Sequence, residues 1–172
     1  MRSLARQALQ IAKSIQADAP VVYVPPSGGT RPRSENVLPR ALVTKTRGYI
    51  ERVADQINGC YEKGWFDGCA VMMRRLLETL IIECFEAHNL DGKIKDPRTG
   101  DFLLLSDLVS RAVREPSWNL GRNTKRALPT LKYLGDQSAH GRRYNAHRED
   151  IDKLIFDFRT VCEEFLYLSK LK

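Results

Sequence analysis

The sequence predicts an all-α fold, a bundle of four to five helices preceded by an N-terminal helical and extended arm. Three observations carry the prediction. From about residue 43 onward, apolar residues recur at steps of three and four, the period of one helix face. The short β-branched run Val21-Val22-Tyr23-Val24 has no second strand candidate to pair with. At 172 residues and 42% hydrophobic composition, the chain can bury a single core without a disulfide or metal staple.

The elements follow in order. Residues 2–17 form a short amphipathic helix, with Leu4, Ala8, Ile11 and Ile15 on one side. Asp18-Ala19-Pro20, the Val/Tyr run and Pro25-Pro26-Ser27-Gly28-Gly29 then make a linker or extended arm. Residues 1–38 are thus an arm, and 39–172 the helical domain. The arm cannot bury its apolar face alone, so it must lie on the main domain or on another subunit; in the second case the chain is a homo-oligomer, which is the expectation. Residues 43–62 carry Val43, Tyr49, Ile50, Val53, Ile57 and Tyr61 at helical spacing, and Gly64 stops the helix. Residues 65–88 give the strongest pattern: Trp65, Cys69, Met72, Leu76, Leu80, Cys84 and His88, with a second apolar row beside them. So wide a stripe belongs to a central helix. Asp101 is positioned to cap a helix carrying Leu104, Leu105, Leu108, Val109 and Ala112, and Glu115-Pro116 ends it. Thr124 to His140 forms the next helix, with Pro129 and Gly135 inside it. The last begins at Asp150 and turns Ile151, Leu154, Ile155, Phe158, Val161, Cys162 and Phe165 inward. Lys170 and Lys172 stand where that helix dipole favours cations.

Composition excludes several classes. No run approaches the ~20 apolar residues of a membrane span, and no signal-peptide core follows Arg2, so a soluble, cytoplasmic protein is expected. The four cysteines (Cys60, Cys69, Cys84, Cys162) show no C-x-x-C spacing, and the three histidines supply no matching half of a zinc site. Buried, reduced thiols are the reading. Nucleotide-loop, nucleophile-elbow and metalloprotease motifs are missing, so neither metal nor cofactor is expected.

Charge is uneven. The formal net charge is +7, yet residues 49–110 hold 7 basic and 11 acidic side chains while residues 111–148 hold 9 and 2. The second block contains Arg122, Lys125, Arg126, Arg142 and Arg143. Such a block suits an RNA backbone or an acidic protein surface, or serves as a solvated face. Within it, Asp136 and His140 lie one helical turn apart, where the carboxylate can orient the imidazole. A histidine so held, with Arg142 and Arg143 close behind, has the equipment for metal-free RNA cleavage. The alternative is a helix-end cap with a local acidic partner. Arg74 and Arg75 both lie within reach of Glu78 on the central helix, a structural ion pair that can anchor the helix bearing His140. Gly135 calls for close approach of another helix or of the Arg75 guanidinium.

Two strings carry a resemblance. Tyr61-Glu62-Lys63-Gly64-Trp65-Phe66-Asp67-Gly68-Cys69-Ala70, leading into Arg74-Arg75-Leu76-Leu77-Glu78, resembles the start of the bacterial domain of unknown function 4145 family. Leu134-Gly135-Asp136-Gln137-Ser138-Ala139-His140 resembles its second hallmark, a Gly-Asn-x-x-x-His pattern ending a helix. The similarity covers about residues 40–170. That family is grouped with the HEPN (higher eukaryotes and prokaryotes nucleotide-binding) superfamily. The resemblance implies a dimerising helical bundle in a bacterial defence or toxin–antitoxin system. Many relatives are metal-independent endoribonucleases with an arginine, a polar residue, a spacer and a histidine. Asp136 and His140 match the last two, while Gly135 takes the arginine's place. The resemblance therefore implies an interaction or RNA-binding module, with an endoribonuclease using His140 as the alternative.

Overall fold

A computed structural model describes residues 34–172. The expectations for residues 2–17 and 21–24 lie outside the described residues. Within them the chain is all-α. The helices are α1 (Arg40–Val43), α2 (Gly48–Glu62), α3 (Phe66–Ala87), α4 (Leu105–Arg114), α5 (Arg122–His140), α6 (Arg148–Asp152) and α7 (Ile155–Leu168), with a 3₁₀ turn at Asp91–Ile94. One isolated bridge, Lys95 to Phe102, is the β-type pairing among the described residues.

The wide apolar stripe makes α3 central. It packs against α2, α4, α5 and α7, and Leu76, Leu77, Leu80, Ile81, Cys84 and Phe85 are fully buried along it. Phe158 and Phe165 of α7 complete the core. Three helices stop in the same way. At α2 the Trp65 N–H donates to Cys60 O (2.8 Å) and the Gly64 N–H to Tyr61 O (3.1 Å), with Gly64 at φ 75°. This is the paired C-terminal bond of a Schellman motif, and glycine adopts the left-handed residue at no steric cost. Asn89 (φ 58°) and Lys170 (φ 57°) fill the same place after α3 and α7.

Several boundaries differ from the sequence expectation. The 43–62 segment divides into α1 and α2 around Lys45, whose φ of 68° breaks the helix. The final segment divides into α6 and α7 between Asp152 and Ile155. Asp101 does not cap α4, which starts four residues later with apolar Leu104 at its N-cap. Trp65 lies at the N-cap of α3 and is 66% exposed, because its turn carries it out of the apolar stripe. Lys170 and Lys172 cap other segments: their ammonium groups donate to Ala87 O (3.4 Å) and to Ala41 and Thr44 O (3.0 and 2.7 Å).

The segment before α1 is built into the bundle. Val37 and Leu38 are fully buried. The amide of buried Asn58 accepts both of their N–H groups (3.1 and 3.0 Å) and donates to Leu38 O (2.8 Å). Arg159 of α7 clasps the same segment, with Nε donating to Val37 O (2.8 Å). The cysteines are free. Cys69, Cys84 and Cys162 are buried and Cys60 half-buried. Desolvation pushes the Cys69 and Cys84 thiols up to about 12, so neither is a thiolate at neutral pH.

Candidate nucleic-acid interface

The geometry of α5 is set where it crosses α3. A Cβ built on Gly135 would lie 2.4 Å from Arg74 Cβ and 3.0 Å from its Cγ and Cδ. Only a residue without a side chain permits this crossing. The partner is Arg74, not Arg75, because Arg75 faces solvent one position further around α3. Passing over Gly135, the Arg74 guanidinium reaches Asp136, Nε to Oδ1 at 2.7 Å. Lys132, one turn earlier on α5, donates to the other carboxylate oxygen. Arg74 also pairs with Glu78 at 3.5 Å. The ion pair expected on the central helix is therefore Arg74–Glu78, and Arg75 takes no part in it.

This arrangement corrects the expected Asp136–His140 pair. Both Asp136 oxygens are engaged by cations. Burial pushes its carboxyl upward, but the hydrogen bonds from Lys132 and Arg74 together outweigh that and hold it below the usual range. Among the described residues the exposed His140 side chain has no hydrogen-bond or ion-pair partner. The two residues nevertheless share a cavity of about 390 Å³ with Arg74, Leu104, Lys132 and Gln137. Lys132 is the member of this group that the sequence reading did not single out. Its i,i+4 spacing to Asp136 was the available signal.

The outward face of α5 has a different character. At 3.6 residues per turn, Arg122 and His140 are about five turns apart on one azimuth, roughly 27 Å along the axis. Between them on that face stand Arg126, Pro129 and Tyr133, the last 64% exposed, with the ion-paired Asp136 at its edge. Arg142 and Arg143 are exposed just past the helix end. Among the described residues none of these four arginines has a hydrogen-bond or ion-pair partner. Lys125 is half-buried, and its ammonium donates to the Asn119 side chain (3.2 Å), which leaves its charge unneutralised. The predicted basic residues thus divide between the two ends of α5, Arg122, Lys125 and Arg126 at one and Arg142 and Arg143 at the other.

Arginine at a helix N-terminus opposes the dipole. The first turn of α5 holds no acidic residue, and Gly121 at its N-cap offers no side-chain cap. Glu164 of α7 supplies the missing anion, accepting the Gly121 N–H at 2.6 Å. At the other end, the loop carrying Arg142 and Arg143 is tethered behind them. Asp67 accepts the Ala146 N–H (2.9 Å), and Asp150 accepts the His147 N–H (2.9 Å) and the Tyr144 hydroxyl (3.3 Å). Trp118 is buried with its indole N–H on Ala112 O (3.0 Å), and Tyr144 is half-buried, so neither offers a free stacking face.

Among the described residues no three His, Cys, Asp or Glu side chains converge closely enough to hold a metal ion, and no helix is long and apolar enough to cross a membrane. No family model, curated protein or solved structure matches the chain.

Proposed function

We propose that the helical domain binds RNA along the outward face of α5 and the loop beyond it, without cleaving it. The observation that carries this reading is the set of exposed, unpaired guanidinium groups at the two ends of α5, Arg122 and Arg126 in its first turns and Arg142 and Arg143 just past its last, with Tyr133 between them. Guanidinium forks match phosphate oxygens bidentately, and an exposed tyrosine ring gives a base a stacking face. The Asp136 carboxylate is committed to Arg74 and Lys132, so His140 lacks the group that would orient it as a base. Homodimerisation follows from the resemblance and from the apolar face of the arm, an acidic protein partner from charge, and a place in a bacterial defence or toxin–antitoxin system from the resemblance.

Fluorescence anisotropy of a labelled single-stranded RNA titrated over a range of salt tests the reading. Four phosphate contacts give a log–log salt slope of about −3, since each contributes roughly −0.7 on single strands. Arg122→Gln/Arg126→Gln should flatten the slope by about 1.4 and leave the melting temperature unchanged. A double variant that binds with the parent's affinity and slope refutes the reading.

One observation favours the alternative. The Arg74 side chain crosses Gly135 and lines the cavity that His140 also lines, so that cavity holds a cationic side chain despite the glycine. In that reading His140 takes the 2′-hydroxyl proton, the 2′-oxygen attacks phosphorus to give the 2′,3′-cyclic phosphate, the 5′-oxygen leaves as a hydroxyl by taking a proton from water, and Arg74 neutralises the developing charge. Incubating RNA with the parent and with His140→Ala in chelator separates the two. Chelator-resistant cleavage lost in the variant selects the nuclease.

A further inference from the structure

A second cavity, of about 450 Å³, lies between the Asp91–Ile94 turn and the outer side of α4 and is lined by no residue of α5. It falls within the size range of small-molecule sites. Its walls are locked together. Lys93 places its ammonium on both Glu115 oxygens (3.0 and 2.9 Å), and Glu115, with a side chain only 5% exposed, also accepts the Ser117 hydroxyl at 2.8 Å. Arg111 donates through Nη1 to the Lys93 carbonyl, which fixes its guanidinium at the rim.

With Lys93 and Glu115 neutralising each other, the charges left facing the cavity are Arg111, Arg114 and Asp107. Arg114 is exposed and, among the described residues, has no side-chain partner. Arg111 retains Nε and Nη2 beyond the bond it makes. At i,i+3 on α4 these two guanidinium groups are neighbours on one face, while Asp107 stands seven residues before Arg114, about 10 Å along the axis. Phe85, itself fully buried, is the apolar residue among those lining the cavity. Two guanidinium forks side by side suit a tetrahedral oxyanion better than a single planar carboxylate, which one fork already satisfies. Asp107, one turn from Arg111 and two from Arg114, suits a hydroxyl or amino donor on the same ligand.

We propose that this cavity binds a small phosphomonoester whose organic part carries hydroxyl groups, with the phosphate on Arg111 and Arg114 and a hydroxyl donating to Asp107. The site does not rest on the RNA reading, because it shares no residue with the α5 face.

The test is isothermal titration of the full chain with ribose 5-phosphate, ribose and inorganic phosphate. Expected is saturable ribose 5-phosphate binding with a dissociation constant of about 1 mM or tighter. Ribose should give no signal, and inorganic phosphate should bind more weakly by about tenfold. Arg114→Gln, which alters an exposed side chain without a structural partner, should weaken ribose 5-phosphate by at least about tenfold. Asp107→Asn should weaken ribose 5-phosphate, whereas inorganic phosphate should hold or tighten as a neighbouring negative charge is removed. Arg142→Gln should change nothing, which separates this site from the α5 face. Absence of saturable binding, or equal binding by parent and Arg114→Gln, overturns the proposal. Equal affinity for ribose 5-phosphate and inorganic phosphate overturns the assignment of the ligand's hydroxyl to Asp107.

Discussion

Replacing Gly135 by alanine sets two opposite effects against each other. Inside a helix, glycine to alanine stabilises by up to about 1 kcal/mol. Here the new methyl group would lie 2.4 Å from Arg74 Cβ, a separation that van der Waals contact forbids. The offending atom is bonded directly to the α3 backbone, so no rotamer change relieves it, and α3 and α5 must part by the order of an ångström. Overpacking of this kind costs typically 1–3 kcal/mol. The net expectation is a loss of about 1 kcal/mol, or roughly 3 °C in melting temperature for a chain of this size. Separating the helices also lengthens the 2.7 Å Arg74–Asp136 bond. Thermal and urea unfolding of parent and Gly135→Ala measure the sum. The source of the clash is separable by a double-mutant cycle. Arg74→Ala keeps the Cβ and should not relieve Gly135→Ala, whereas Arg74→Gly removes it and should. Gly135→Arg should be worse than alanine and create no ribonuclease. A Gly135→Ala protein that melts above the parent would show that the crossing is loose and refute the packing argument.

Other outcomes follow from the same geometry. Asn58→Ala leaves the Val37 and Leu38 amides and the Leu38 carbonyl without partners in a buried place, which should cost about 3 kcal/mol or more in urea unfolding. Glu164→Ala removes the anion at the N-terminus of α5 and should cost about 1 kcal/mol, with lower hydrogen-exchange protection confined to the first turns of that helix. Glu83 is almost buried against the half-exposed Arg47 (2.9 Å), and desolvation raises its pKa more than Arg47 lowers it. The folded state therefore binds the Glu83 proton more tightly than the unfolded chain, so its ionisation removes stability as pH rises from the unfolded value of 4.5. Glu83→Gln should be at least as stable as the parent at pH 7, and its advantage should vanish below about pH 4.5 in pH-dependent thermal melts.

The fold class was legible because α3 writes its burial into the chain twice, as a heptad-like row and as the row beside it. Both rows are read from neighbours three and four residues apart. The breaks were not legible. Lys45 and the Lys153–Leu154 pair interrupt helices without proline or glycine, so no local chemistry announces them, and the stops depend on contacts made once the bundle has closed. Asp101 misled for a related reason. It is a good capping residue, but the Asp96 N–H bonds its carbonyl (2.8 Å), which draws it into the turn before α4. The site was legible in part. The basic block marked α5, and the i,i+4 spacing of Asp136 and His140 was read correctly as a shared turn. What it could not disclose is a competitor 62 residues earlier: Arg74 takes the carboxylate that local spacing had given to His140.

Local rules conflict with structure at several places in α5, and the conflicts divide informatively. Gly135 lowers helix propensity, and the Arg74 crossing explains it. The absence of an N-terminal acid or capping side chain is compensated by Glu164 from α7. Pro129 interrupts the hydrogen-bond ladder beyond the first turn, and nothing in the structure explains it. Arg122 and Arg126 stand near the positive end of the dipole with no partner and no buried surface to defend, so neither packing nor capping accounts for them. Functional sites are where a sequence departs from its own local preferences and is stabilised elsewhere. Glutamate at position 122 would answer the dipole better, and Arg122→Glu/Arg126→Glu should accordingly raise the melting temperature while abolishing RNA binding. A variant both more stable and unable to bind would identify the two arginines as residues held there for a ligand. A variant that gains stability and keeps the parent's affinity would leave α5 as a solvated face and refute the RNA reading.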